Sequence, residues 1–209
     1  MSSFDYKLHV FRSPQFKGIV DDAIKFFAQT PLHALPSPHR FVGTGVYALY
    51  YTGSFNPYAR IASLNKPDCT QPIYVGKSVP EGRRTARAVT TVGGKLLGRL
   101  REHAKSIQAA SNLKLEDFQC RFMILTEDEA DLIELVEARL IRNYKPLWNS
   151  GISGFGIHAP GSGRGGQKQS EWDILHPGRY YAGQLTGKSI PIEEVLQKVE
   201  QFLSQLPLP

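Results

Sequence analysis

The sequence predicts an α+β domain, a small three-stranded antiparallel sheet flanked by helices, with extensions at both ends. Three observations predict it. Two β-branched and aromatic runs, 45–52 (GVYALYYT) and 72–75 (PIYV), are joined by a loop rich in Gly, Ser, Asn and Pro, the pattern of antiparallel neighbours. A third such run occupies 118–125 (FQCRFMIL). Between and after these runs, 95–110 and 126–143 repeat their apolar residues at helical spacing.

Residues 1–44 read as a helical preface: a mixed segment over 6–11, then Ile19, Ala23, Ile24 and Phe27 on one helical face until Pro31 stops it. The core spans 45–149. The loop between its first two strands is long for a hairpin, so an insertion is expected there. Residues 79–94 are polar, basic and punctuated by glycine, and the helix over 95–110 buries Leu96, Leu97, Leu100, Ala104 and Ile107. Thr126 and Glu129 form a capping-box pattern that opens a helix through about Asn143. Its apolar face holds Leu132, Ile133, Val136, Leu140 and Ile141, and Pro146 ends it. The tail, 150–209, begins with a stretch over 150–170 too rich in glycine to pack as regular structure. Trp172, His176 and Arg179 are candidate anchors for this tail. An amphipathic helix over 192–206 is either a docking helix or a dimer contact. No internal repeat interrupts this single domain.

The chain carries 25 Lys and Arg against 19 Asp and Glu among 209 residues, with a pI near 9.3, which favours a polyanionic partner. Location sharpens this. Lys77, Arg83, Arg84, Arg87, Lys95, Arg99, Arg101 and Lys105 fall in one stretch opposed only by Glu81 and Glu102. The two cysteines, Cys69 and Cys120, are too few and too far apart for a zinc site, and nothing suggests an oxidising compartment. The N-terminus lacks the apolar core of a signal peptide, and no stretch reaches the ~20 apolar residues of a membrane span. The expected location is the bacterial cytoplasm.

Several residues point to chemistry. Glu137 falls within the apolar arc of its helix, so its carboxylate needs a cation, either an arginine or a metal. A single glutamate is sufficient for Mg²⁺, which keeps several waters. Arg99 and His103 stand one turn apart on the preceding helix and can reach a common point, as a phosphate clamp and a proton acceptor or as a solvated basic stripe. Tyr47 and Tyr74 sit in the strands, where a tyrosine is commonly a core side chain. With a reference pKa near ~10, a phenol acting as base needs help from a cation or a proton acceptor such as His103. Gly76-Lys77-Ser78 imitates the end of a phosphate-binding P-loop. Gln71 stands where that motif needs its first glycine, and 72–75 is a strand, both of which argue against a nucleotide hydrolase.

Taken in order, Gly45-Val46-Tyr47, Tyr74-Val75-Gly76-Lys77-Ser78, Arg99, His103, Glu137 and Asn149 resemble the GIY-YIG nuclease superfamily over about half of the chain. Both tripeptides depart from the nominal motif only by Val for Ile, one methylene that a strand tolerates. His103 one turn after Arg99, the helical preface and the glycine-rich tail are similar to type II restriction endonucleases, in particular to those that cut the palindrome CCGCGG. The resemblance implies Mg²⁺-dependent hydrolysis of double-stranded DNA, with one Mg²⁺ per site held by Glu137 on the scissile phosphate. Tyr47 would activate the attacking water and His103 would take its proton. Arg99 would stabilise transition-state charge, Tyr74 would position phosphate or water, and Asn149 would orient neighbouring groups.

A palindromic target implies a homodimer and, as a functional companion, a cognate DNA methyltransferase. Lys77, Arg83, Arg84, Arg87, Arg164, Gln167 and Lys168 are the candidate DNA contacts, reading guanine or gripping phosphate. The alternatives are a repair or homing nuclease of the same superfamily, or a DNA-binding module without activity.

Overall fold

The computed structural model of the chain describes residues 4–80, 94–157 and 165–206. Its centre is a four-stranded antiparallel sheet with the order β1-β4-β2-β3. The strands are β1 (Leu32–Ala34), β2 (Thr44–Tyr51), β3 (Tyr74–Ser78) and β4 (Phe118–Leu125). The expected three strands are present, and β1 is an addition that pairs His33 with Cys120 on the outer edge of β4. Three residues between Pro31 and Pro36 are too few to display an alternation, which is why periodicity misses them.

β2 is central, and all eight of its residues are buried, as a strand covered on both faces requires. Tyr47, Leu49 and Tyr51 point into one core and Val46, Ala48 and Tyr50 into the other. The first face is covered by α3 (Lys95–Ala109), by the tail helices α5 (Glu171–Leu175) and α6 (Ile192–Ser204), and by Trp148 and Phe155. The second is covered by α1 (Phe16–Gln29) and α4 (Ile133–Tyr144), which bury Val20, Phe27, Ile133, Val136 and Leu140. Helix α1 begins three residues before its first periodic position, Ile19.

The insertion between β2 and β3 is a 3₁₀ turn, Asn56–Tyr58, followed by α2 (Ala59–Leu64). Buried Asn65 closes its base, donating to the carbonyls of Tyr51 and Gln71 and accepting from the Gln71 amide. The capping box at Thr126 does not form. Its side chain makes no cap bond, and a 3₁₀ stretch, Glu127–Leu132, entered through Glu127 at φ 52°, precedes α4. The expected amphipathic helix in the tail is α6, which docks within the chain by burying Val195, Val199 and Leu203. Trp172, His176 and Arg179 are all buried and do anchor the tail. No helix among the described residues is long and apolar enough to cross a membrane.

Candidate active site

The two tripeptides lie side by side, with Tyr47 directly opposite Gly76 across β2 and β3. A Cβ on Gly76 would stand 2.4 Å from the Tyr47 hydroxyl, so the tyrosine ring crosses β3 at the one place without a side chain. Gly45 has φ +151° and presses against β4, where a Cβ would meet the Met123 carbonyl at 2.0 Å. Both glycines therefore serve close approach.

Crossing β3 brings the Tyr47 hydroxyl to 2.6 Å from Nε2 of His103. His103 comes from the buried stripe of α3 and is only 3% exposed. Tyr74 packs against both partners, its ring 6.3 Å from that of Tyr47 and 5.1 Å from that of His103. Arg99, one turn earlier on α3, places its charge close to Tyr47 and pairs through Nη1 with Glu102 Oε2 at 2.8 Å. Burial pushes the Tyr47 hydroxyl well above its ordinary pKa, Tyr74 adds to the rise, and the Arg99 charge opposes it. Burial likewise raises Tyr74, again against Arg99. Both phenols are therefore neutral donors at pH 7, and Tyr47 has an acceptor in hydrogen-bond contact.

Alternation in β3 places Tyr74 and Gly76 on this face and Val75 and Lys77 on the other. Lys77 reaches α4, where its Nζ lies 2.7 Å from Glu137 Oε2 and 3.9 Å from Glu134 Oε1. Because β3 is an edge strand, groups from the two faces meet around its free side. They line a cleft of about 720 Å³ bounded by Tyr47, Tyr74, Lys77, Arg99, Glu102 and Glu137. His103 sits behind Tyr47. Asn149 stands along the same edge, its amide accepting from the Val75 N–H and donating to the Val75 carbonyl, both at 2.8 Å. It thereby continues the sheet by one partner and satisfies an otherwise open edge.

Glu137 is the carboxylate available for a metal, its side chain 18% exposed and opening on the cleft. No cluster of three or more His, Cys, Asp or Glu side chains occurs among the described residues. One carboxylate with room for water suits a hard, strongly hydrated cation such as Mg²⁺, and the donor set fits no thiolate- or imidazole-binding metal. The Lys77 ammonium shares the carboxylate, so a bound ion must compete with it.

Of the candidate DNA contacts, Lys77 is a third exposed and engaged with Glu137. Gln167 and Lys168 are exposed on a turn whose backbone bonds to Gly187. Arg83, Arg84, Arg87 and Arg164 lie outside the described residues. Two site residues escape the sequence reading. Glu102 was legible as a carboxylate three residues after Arg99 on one helix. Phe155, stacked on His103 at 4.8 Å and 19°, had only a faint signal, one aromatic in a glycine-rich run.

No curated protein matches the chain. A family model described as the Eco29kI GIY-YIG domain matches residues 39–203, a span that takes in both tripeptides, α3, α4 and most of the tail. The match covers well over half of the sequence, and with it the chain belongs to the Eco29kI GIY-YIG family of restriction endonucleases, nucleases whose substrate is DNA.

Proposed function

We propose that this nuclease is a type II restriction endonuclease, a homodimer that hydrolyses double-stranded DNA at a short palindrome, with CCGCGG as the candidate target. The observation that carries the chemistry is the 2.6 Å contact between Tyr47 and His103 at the wall of a cleft that also holds Tyr74, Arg99 and Glu137. A neutral phenol is a poor base alone. Coupled to the imidazole, it accepts a proton from water through its oxygen while passing its own to Nε2, so no free phenolate is needed. The water oxygen then bonds to phosphorus as the opposite P–O bond breaks, and the leaving oxygen is protonated from solvent. Arg99 donates to the phosphoryl oxygens as charge grows there.

Tyr74, which lines the cleft, restrains the phosphate or the water. Glu137 would hold one Mg²⁺, which supplies Lewis-acid stabilisation of the scissile phosphate when bound. Lys77, Gln167 and Lys168 provide phosphate or base contacts, together with Arg83, Arg84, Arg87 and Arg164. A two-fold protein matches a two-fold target, each subunit supplying one site, and a cognate methyltransferase protects the host DNA.

The test is incubation of purified protein with unmethylated bacteriophage DNA and Mg²⁺, alongside EDTA and Glu137→Ala controls. Discrete fragments that vanish in both controls, with ends mapping to one palindrome, are the expected result. Uncut DNA that is shifted on a gel would overturn the reading in favour of a binding module, and structure-dependent nicking would point to a repair or homing activity.

A further inference from the structure

We infer that Phe155, held by the buried Asp173–Arg179 pair, is a positioning residue for the proton path through Tyr47 and His103. The inference rests on that proposed path and adds to it the part of the tail that sets its geometry.

The Phe155 ring is 2% exposed and touches both groups behind the cleft. It stacks nearly parallel on His103 at 4.8 Å and meets Tyr74 edge-on at 4.9 Å and 75°. A histidine ring turns about a broad terminal torsion, so its plane depends on what packs against it. The stacked phenyl removes that freedom and keeps Nε2 aimed at the Tyr47 hydroxyl. The next residue adds a second restraint: a Cβ at Gly156 would stand 2.5 Å from the Tyr74 hydroxyl, so the backbone itself abuts that group.

The wall that carries Phe155 has no regular structure of its own, and the tail fixes it. Arg179 spreads its fork over two successive carbonyls, Nη2 to Gly154 at 2.9 Å and Nη1 to Phe155 at 3.2 Å. Its Nε binds Asp173 Oδ1 at 2.6 Å, and the other Asp173 oxygen accepts from the Ser170 hydroxyl at 2.7 Å. The guanidinium also lies over the Trp172 ring at 4.4 Å, and the whole residue is 5% exposed. One turn away, Glu171 accepts from the amide and hydroxyl of Ser153, and the Trp172 amide donates to the Ser153 carbonyl. A buried charge pair is costly unless every donor and acceptor is used, and here its spare donors are spent on the two carbonyls flanking Phe155. Simple anchorage of the tail needs only apolar side chains. Carbonyls gripped on both sides of one aromatic fix the direction of that ring.

The experiment compares Phe155→Leu and Phe155→Met with wild type, Tyr47→Phe and His103→Gln, reading steady-state cleavage over pH 5 to 9, DNA affinity in Ca²⁺ and the His103 ring protons by NMR. Phe155→Leu keeps most of the volume and removes the stacking plane. The expected result is a kcat roughly 10-fold lower or more at nearly unchanged KM and DNA affinity, since only alignment is lost. The acid limb should move to higher pH as water reaches the imidazole and favours its cation, and the His103 resonances should lose the ring-current shift of the phenyl. Arg179→Lys, which keeps the charge and loses the fork, should move all three readouts the same way by less.

Wild-type kcat and pH profile in the Phe155 variants, beside inactive Tyr47→Phe and His103→Gln, would overturn this inference alone. Full activity in Tyr47→Phe and His103→Gln would overturn the proton path beneath it. Failure of both Phe155 variants to fold would make Phe155 a core residue first and overturn the positioning role.

Discussion

Tyr47 and His103 meet at 2.6 Å beside the cleft, and Tyr58 and His176 repeat that contact at 2.6 Å inside the closed core. The chemistry of the two pairs is the same and their surroundings are not. Trp148 donates to the Tyr58 hydroxyl, and the far nitrogen of His176 bonds to Asn112 Oδ1, so every polar atom of the inner pair is spent on the fold. Tyr47 of the outer pair instead lines a cleft together with Arg99 and Glu137.

Tyr47→Phe removes only the hydroxyl, and cleavage should fall by about 10²- to 10⁴-fold, the usual worth of a positioned acid–base group. His103→Gln should approach the same loss, and the double variant should lose little more, because the two act as one unit. Single-turnover cleavage with DNA affinity measured in parallel checks this, with affinity expected to stay within a few-fold of wild type. Losses that multiply would show that the two residues act separately.

The contact of Lys77 with Glu137 makes a different prediction. An ammonium at 2.7 Å from the Glu137 carboxylate competes with any divalent ion held there, and this pair is partly exposed, so its worth is about 1 kcal/mol after screening. Lys77→Met should therefore tighten Mn²⁺ binding to the DNA-free protein several-fold, while weakening DNA binding if Lys77 turns to phosphate in the complex. Calorimetric titration of Mn²⁺ into both proteins decides it. Unchanged metal affinity would place the ion away from Glu137.

The sheet and the main helices were legible because their side chains follow simple periods, and Tyr47, Arg99 and His103 because motif and spacing put them on a strand and one helix face. What escaped was set by contacts distant in sequence. The strand β1 is specified by the free edge of β4 rather than by its own three residues. The start of α4 yielded to a 3₁₀ stretch through Glu127 despite a favourable Thr126. Asn149 stands out in the sequence only by its position in a resemblance, and its bond to the Val75 backbone becomes readable only when β3 is known to be an edge. Phe155 has only a faint local signal because its partners come from α3, β3 and the tail.

The proposed homodimer needs a surface, and residues 4–26 offer one. Helix α1 has an apolar arc wider than the body covers, leaving Phe16, Ile19 and Phe26 about half exposed or more, and Phe4, Tyr6, Leu8 and Phe11 ahead of it are more exposed still. At ~200 Å² per large side chain these leave roughly 900 Å² of apolar surface, close to the ~800 Å² that each partner of a stable dimer buries and beyond the usual patch on a monomer. A second copy is the occupant this area suits. Phe16→Ser with Phe26→Ser should shift sedimentation from dimer to monomer. An unchanged dimer would move the two-fold axis elsewhere, and a wild-type monomer would remove the homodimer from the proposal.

The inner pair predicts how stability follows pH. Complete burial, with the Arg179 charge adding to it, pushes the His176 imidazole down to about 3. Its tautomer is fixed by its partners: Asn112 Oδ1 can only accept, because the Asn112 amide nitrogen already donates to the Leu175 carbonyl, so Nδ1 carries the proton and Nε2 accepts from Tyr58. A second proton therefore has no place in the folded protein. In the unfolded chain the ring titrates near ~6.5, so between about 3 and 6.5 the unfolded state binds more protons and folding stability rises with pH. The stabilisation is complete above about 6.5 and is lost progressively as the pH falls toward 3, an order of a few kcal/mol over the window. Urea midpoints for the wild type should fall steadily from pH 7 to pH 4. His176→Gln should be less stable at pH 7, having lost one of its two hydrogen bonds, and should show a shallower slope over the same range. A slope as steep as wild type in His176→Gln would mean that other groups carry the acid sensitivity of this core.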